Sequence, residues 1–234
     1  MNPPARAYVA TWSGGKDSCL ACYTSTRQGS TIAHLANFVS EEYGRVRFHG
    51  VTTALIRAQA KAIGLPLLQN ETAADHYEAD FKHGIASLRT DNISGLVFGD
   101  IHLERCREWA ENVCQELGLQ LVEPLWGRST EEVLLDFIEG GFRGVVVSTQ
   151  ADVLDEEWVG RQIDRAFLRD LKSIGNVDLC GENGEYHTFV FDGPLFQQRV
   201  VILETRKVLR DGFWFLDIKS YALSPKLVQS RGKG

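Results

Sequence analysis

Six consecutive residues, Ser13-Gly14-Gly15-Lys16-Asp17-Ser18, carry the densest chemistry in this 234-residue sequence. They follow a strand-like run, Ala7 to Thr11, and open a helical pattern, Asp17 to Arg27. Two glycines let the backbone turn sharply and bring its N–H groups close to an anion. The helix start behind them adds aligned donors and a favourable dipole. Lys16 contributes a positive charge, and Ser13 and Ser18 contribute hydroxyls. Asp17 is unfavourable beside bare phosphate, so it implies a divalent cation between carboxylate and phosphate. The pattern is not a Walker A loop, because Lys16 is followed by Asp17, and no GxGxxG fingerprint exists in the chain. The plainer alternative is a glycine turn capped by Asp17.

A second constellation lies at Glu182, Glu185 and His187, around Gly184 and ahead of a β-like run. Paired carboxylates beside a histidine can hold an ammonium ion, a cationic acceptor or a metal, or can serve as general base. His187 can take a proton near neutral pH, since an ordinary imidazole titrates at about 6.5. A solvated turn with ordinary surface glutamates is the alternative. Asp100 and His102 follow the buried-looking strand Leu96-Val97-Phe98, at its carboxyl end. In an open α/β sheet ligands bind beyond such ends, so both should face the crevice of the phosphate loop. Asp100 is either a Mg²⁺ or ribose contact or an N-cap for the helix starting near Glu104. Cys19 and Cys22 form a CxxC, but no second pair completes a four-thiolate site. They read as small buried residues on the sheet-facing side of the first helix, and Cys106 and Cys114 read likewise. His76 and His83, seven apart, lack the spacing of a helical metal pair, so no structural metal is assigned.

Short apolar strands alternating with helical patterns must position these groups. Ile32 to Val39, Leu67-Leu68, Leu96 to Phe98 and Leu119 to Val122 continue the strand series begun at Ala7. Helices fall around Leu55 to Ala62 with Gly64 as terminator, over Asp75 to Leu88, and through Cys106, Trp109, Val113 and Leu117 to Gly118. This alternation predicts a doubly wound, Rossmann-like parallel sheet over the first half. Ser40 to Gly50 is polar and reads as a loop. After Pro124-Leu125-Trp126, Ser129-Thr130-Glu131-Glu132 is a capping box for another helix. A buried strand at Val145 to Val147 and a helix from Ile163 to Leu171 follow. Arg199 to Leu209 and Phe213 to Ile218 then flank Asp211-Gly212, the signature of an antiparallel hairpin with a primed turn. The expected organisation is a nucleotide-binding unit over 1–126 and a smaller α+β unit for the acceptor over 127–234, ending in a loose tail.

Composition limits the function classes. Lys and Arg total 25 against 31 Asp and Glu, leaving a charge of −6, which argues against direct nucleic-acid binding as the main activity. Hydrophobic residues at 44% and charged residues at 24% describe a globular chain rather than a disordered one. The longest apolar run, Cys19 to Tyr23, is far too short to span a membrane. The first residues lack the apolar core of a signal peptide, and five cysteines do not make a disulfide framework. A cytoplasmic location is expected.

Ser13 to Ser18 resembles the SGGxDS loop of the N-type ATP pyrophosphatases, within the adenine-nucleotide α-hydrolase-like superfamily of HUP-type folds. Gly118-Leu119 with Pro124-Leu125-Trp126-Gly127, and Leu154 to Arg161, resemble the GLxxxxPLWG and LDxxWxGR stretches of the diphthine–ammonia ligase family. Gly181-Glu182-Asn183-Gly184-Glu185-Tyr186-His187-Thr188, continuing to Asp192-Gly193-Pro194-Leu195-Phe196, is similar to that family's GEGGEFET…DGPxF signature. The resemblance implies ATP and Mg²⁺ as cofactors, the loop gripping the leaving pyrophosphate, and transfer of AMP to an acceptor carboxylate that ammonia then displaces. It implies Lys16, Asp17, Glu182, Glu185 and His187 as catalytic, with Asp17 and Asp100 toward the metal. Phe38 would wall the adenine unless it belongs to the core, and His49, in the polar loop Ser40 to Gly50, resembles a histidine that members carry after that loop, which implies a phosphate or lid role. Ammonium is the simpler nitrogen donor, and the implied acceptor is diphthine on translation elongation factor 2. Asn183 and His187 depart from the family's glycine and carboxylate, on the acceptor side rather than the ATP side. An RNA-thiolating enzyme and a non-catalytic ATP sensor are the alternatives.

Overall fold

The first strand, β1 (Ala7–Thr11), alternates its side chains between two cores. Tyr8 and Ala10 join one apolar cluster and Val9 the other, the period-two pattern of a strand covered on both faces. The computed structural model describes residues 6–40, 45–46, 50–73, 75–88 and 92–226. Helix α1 (Lys16–Arg27) leads to β2 (Thr31–Ser40), the two-residue β3 (Arg45–Val46) and α2 (Thr53–Ile63). Then come β4 (Leu67–Thr72), α3 (Tyr77–Ser87), β5 (Ile93–Val97), α4 (Glu104–Leu117) and β6 (Gln120–Val122). The parallel strands lie in the order β4-β2-β1-β5-β6, with β3 antiparallel beyond the end of β1. The chain winds outward through β2 and β4, then returns to the other side of β1 at β5. This reversal places a topological switch point between β1 and β5.

Helices α1 and α2 pack on one face of this sheet, and α3 and α4 on the other. Thr52 caps α2 by accepting from the Leu55 N–H, and Gly64 ends it in the left-handed conformation. Strand β4 runs six residues rather than the two apolar ones the sequence marks, because its half-exposed place beside β2 tolerates Gln69, Asn70 and Glu71. The short strand β3 lies within the segment read as loop.

A second sheet takes up the rest of the chain. It is antiparallel, in the order β8-β7-β10-β9, built from β7 (Arg143–Gln150), β8 (Tyr186–Asp192), β9 (Gln198–Arg210) and β10 (Phe213–Pro225). Helices α5 (Thr130–Glu139) and α6 (Arg165–Ile174) accompany it. Ser129 caps α5 by accepting from the Glu132 N–H, and Asp164 caps α6 by accepting from the Phe167 N–H, which moves that helix start past Ile163. The expected hairpin is present, with Asp211 and Gly212 both at positive φ in its turn. One apolar cluster runs unbroken from Leu20, Leu55 and Ile56 to Phe137, Val146, Phe167 and Phe189, so the two sheets share a core. Among the described residues, no helix is long and apolar enough to cross a membrane.

Candidate functional site

The loop between β1 and α1 lies at the switch point. Gly14 has φ +81, and a Cβ there would stand 2.5 Å from Ile56 Cδ1 and 2.8 Å from Gln59 Oε1. Only glycine meets both the left-handed backbone and the close approach. Ser13 Oγ accepts from the Gly15 N–H at 3.2 Å, and the Ser18 hydroxyl donates to the Gly15 carbonyl at 3.1 Å. These bonds close the loop over the first turn of α1. Gly99, just past β5, has no room for a side chain, since a Cβ would meet the Asp17 backbone at 2.9 Å. The end of β5 is thereby drawn against the start of α1.

A cavity of about 700 Å³ opens at this point. Ser13, Lys16, Asp17, Ser18, Phe38, Asp100, Glu182 and His187 all line it. Gly14 and Gly15 lie behind, as backbone of the loop. Glu185 does not line the cavity, and His49 lies outside the described residues. One end of the cavity is aromatic. Phe38 packs on Phe81 at 4.7 Å between ring centroids, and Tyr77 and Trp109 approach at 5.7 Å, with Phe98 completing the wall. The other end is formed by the phosphate loop and by the segment leading into β8.

The charges of this polar end are tightly coupled. Lys16 Nζ donates to Asp17 Oδ2 at 2.8 Å and to the Cys180 carbonyl, and sits 5.1 Å from the Tyr186 ring centroid. Its side chain is 4% exposed. Burial is the largest single influence and opposes its charge, but Asp17, Tyr186 and Cys180 together outweigh it and hold the ammonium protonated, well above the ordinary lysine range. Burial pushes the Asp17 carboxyl up despite Lys16. Asp17 Oδ1 is buried with no hydrogen-bond partner, an orphaned acceptor that a cation would satisfy. Asp100 is raised by burial and then by the Asp17 charge. Glu182 is pushed up to about 7, chiefly by burial and next by Asp17. Its Oε2 accepts from the Ile101 N–H at 3.2 Å, joining the second unit to the end of β5. Three acids with raised pKa values thus share the crevice, the pattern expected where protons or cations are exchanged. Among the described residues no group of three or more His, Cys, Asp or Glu could hold a metal, so a cation there would take two carboxylates and the phosphates.

Glu182 and Glu185, paired by sequence spacing, are separated by the fold. The Glu185 carboxylate accepts from the Asp178 N–H at 2.9 Å, the Asn183 N–H at 3.1 Å and the Asn183 side-chain amide at 3.1 Å. It is 7% exposed and spent on its own loop. Asn183 is therefore a loop brace here. Asp178 continues the bracing by accepting from the Cys180 and Glu182 N–H groups. Cys19 and Cys22 are buried free thiols, both raised by burial, Cys22 to about 12. His102 reaches Asp178 at 3.4 Å and does not line the cavity.

Gln59 and Arg105 carry no motif, and Thr188 only closes the run that begins at Gly181. Thr188 Oγ1 accepts from the Lys16 N–H at 2.9 Å, Gln59 underlies the loop, and Arg105 stands at the cavity wall. The aromatic wall had a signal in Tyr77 and Phe81, one helical turn apart, with Trp109 on the next helix.

A switch-point crevice in a doubly wound sheet, closed by a second sheet and carrying a glycine-rich loop at a helix start, defines an α/β protein built to hold a phosphorylated ligand. Its lineage is more particular. The chain belongs to the diphthamide synthase family: the model of the diphthamide synthase N-terminal domain matches residues 6–121, and that of the C-terminal domain matches 129–223. It is similar to diphthine–ammonia ligase of Bos taurus, 28% identical over 83% of this chain and 82% of that protein. The diphthine–ammonia ligase of Homo sapiens is 27% identical over 90% of this chain and 88% of that protein. The one of Schizosaccharomyces pombe (strain 972 / ATCC 24843) is 28% identical over 84% of this chain but 36% of its own length. The crystal structure of a predicted subunit of tRNA methyltransferase from Methanocaldococcus jannaschii DSM gives a TM-score of 0.45 at 16% identity, covering 81% of this chain and 98% of that one. That likeness is too slight to bear on fold or function.

Proposed function

We propose that this chain is an ATP-dependent amide-forming ligase of the diphthine–ammonia ligase type. The observation that carries the reading is that the phosphate loop and the Glu182 loop, from the two family domains, open on one cavity. ATP binds with its β and γ phosphates on Ser13 to Ser18 and its base toward Phe38. The acceptor carboxylate oxygen attacks the α-phosphorus, the bond to the β-phosphate oxygen breaks, and pyrophosphate leaves. Ammonia then attacks the acyl carbon, the C–O bond to AMP breaks, and the proton shed by nitrogen passes to a base. Glu182, held near neutrality by burial, is suited to take it, and His187 lies on the same wall. Lys16 offsets charge on the phosphates, through the loop it anchors. Asp17, with its orphaned oxygen, and Asp100 would hold Mg²⁺, which screens the phosphate charge.

Residues 1–126 serve the nucleotide and 127–234 choose the acceptor, which by kinship is diphthine on translation elongation factor 2. Glu185 acts by holding the acceptor loop. The five free thiols suit a reducing, cytoplasmic compartment. The test is incubation with ATP, Mg²⁺, ammonium and diphthine-bearing elongation factor, following nucleotide and phosphate products. AMP and pyrophosphate formed in step with amide support the reading. Release of ADP, or ATP binding without turnover, overturns it.

A further inference from the structure

Strand β8 is an edge of the second sheet, and an open edge must cover its N–H and C=O groups. Here the phosphate loop covers it. The Val190 N–H donates to the Gly14 carbonyl at 2.9 Å, and Thr188 Oγ1 accepts from the Lys16 N–H. Between loop and edge stands one side chain, Gln59 of α2, with no exposed surface. Its amide nitrogen donates to the Gly14 carbonyl at 2.9 Å and to the Val190 carbonyl at 2.6 Å. Its Oε1 accepts from the Trp12 indole N–H at 2.8 Å. These partners leave one orientation of the amide, because only the NH₂ end can face two carbonyls.

We infer that Gln59 is a positioning residue of the phosphate loop, turning the Gly14 carbonyl away from the cavity and onto β8 so that the loop's remaining donors face the phosphates. The inference rests on the ligase reading above. The geometry requires an amide. An alanine would leave both carbonyls short of a donor. A glutamate would keep the Trp12 bond and set a carboxylate oxygen against two carbonyl oxygens. Either change leaves the Gly14 carbonyl held by the Val190 N–H alone, loosening the peptide, and the cost falls on whatever the loop binds. The adenosine end of a nucleotide, which does not use the loop, is spared.

The experiment is titration calorimetry of the full chain with Mg·ATP and, separately, with AMP, which lacks the two phosphates assigned to the loop. Wild type, Gln59→Glu and Thr188→Val are compared, each checked for a cooperative melt. Thr188→Val is nearly isosteric and removes one acceptor from the same brace, so it carries the test if Gln59→Glu does not fold. ATP binding roughly tenfold or more weaker in a folded variant, with AMP binding held within about twofold, is the expected result. Parallel losses for ATP and AMP would mean a general structural role, and unchanged ATP binding would mean none at the loop. Either overturns the inference. Wild-type protein that binds no ATP brings down the ligase reading itself, and this inference with it.

Discussion

Replacing Glu182 by glutamine should make the ligand-free protein more stable and less active, with the gain growing from about pH 4.5 and complete above about 7. The carboxyl stands at about 7 in the folded chain against an ordinary 4.5, with burial the first cause and Asp17 the second. Between those values the folded state binds a proton that the unfolded chain has released. Stability therefore falls as pH rises through this window, and the loss is complete above about 7. At about 1.4 kcal/mol per pKa unit the displacement corresponds to roughly 3 kcal/mol. Because the carboxyl meets water in the cavity, roughly 1–3 kcal/mol is the usable range. Glutamine keeps an oxygen for the Ile101 N–H and removes only the titration.

The assay is urea unfolding of both proteins in metal-free buffer at about pH 4 and about pH 8.5. The curves should nearly coincide at the acid end and separate by that range at the alkaline end. For a chain of this size the alkaline gap equals a rise in Tm of several degrees. Glu123, also near 7 through burial, gives wild type and variant the same slope and cancels in the difference. AMP formation should fall by about a hundredfold or more, since the group that accepts the proton is gone. A gap that stays constant between the two pH values, or a variant less stable at pH 8.5, would refute the account of Glu182.

Gly14→Ala should cost about 2 kcal/mol or more and abolish ATP binding, because a Cβ at φ +81 meets Ile56 at 2.5 Å; melting and calorimetry check both. Asp17→Ala should lower pyrophosphate release by about a hundredfold or more, and added Mg²⁺ should not restore it, since the orphaned oxygen is lost. Glu185→Ala should destabilise the fold by about 2–4 kcal/mol through three lost hydrogen bonds. Its residual activity per folded molecule should keep the wild-type pH profile, which a lost chemical group would change.

The glycine loop between β1 and α1 was legible in place and shape because its determinants are local. Two glycines, a helix start and the hydroxyls of Ser13 and Ser18 are all within six residues, and the strand and helix around them follow from apolar spacing. The carboxylates were legible only as types. Glu182 and Glu185 look equivalent three residues apart, yet Gly181 just before the pair and Gly184 within it, both at positive φ, turn the chain. One carboxylate then reaches the cavity and the other returns to its own loop. Gln59 had no signal at all. A polar residue in mid-helix reads as a solvent-facing one, and its burial comes from a strand 131 residues away in the chain. Of the aromatic wall, spacing marks only Tyr77 and Phe81; that Phe38, Phe98 and Trp109 join them is a product of topology.

That distance also bears on what the two family domains contribute. Each has its own sheet, but the nucleotide loop is not finished by the sheet that carries it. Its Gly14 carbonyl, its Lys16 N–H and its Lys16 ammonium are all satisfied from residues 180–190 of the second unit. The apolar core passes between the units without a break, so neither presents the other with an exposed, independent face. The second unit therefore sets the geometry of the glycine loop as a condition of folding, before any ligand arrives. A substitution near Asn183 or His187 that suits another acceptor must keep the β8 edge where Gly14 and Gln59 need it. The same strand carries His187 toward the cavity and, one and three residues on, Thr188 and Val190 toward the loop. Such a strand can vary in the side chains it turns to the cavity, while its backbone remains tied to the glycine loop.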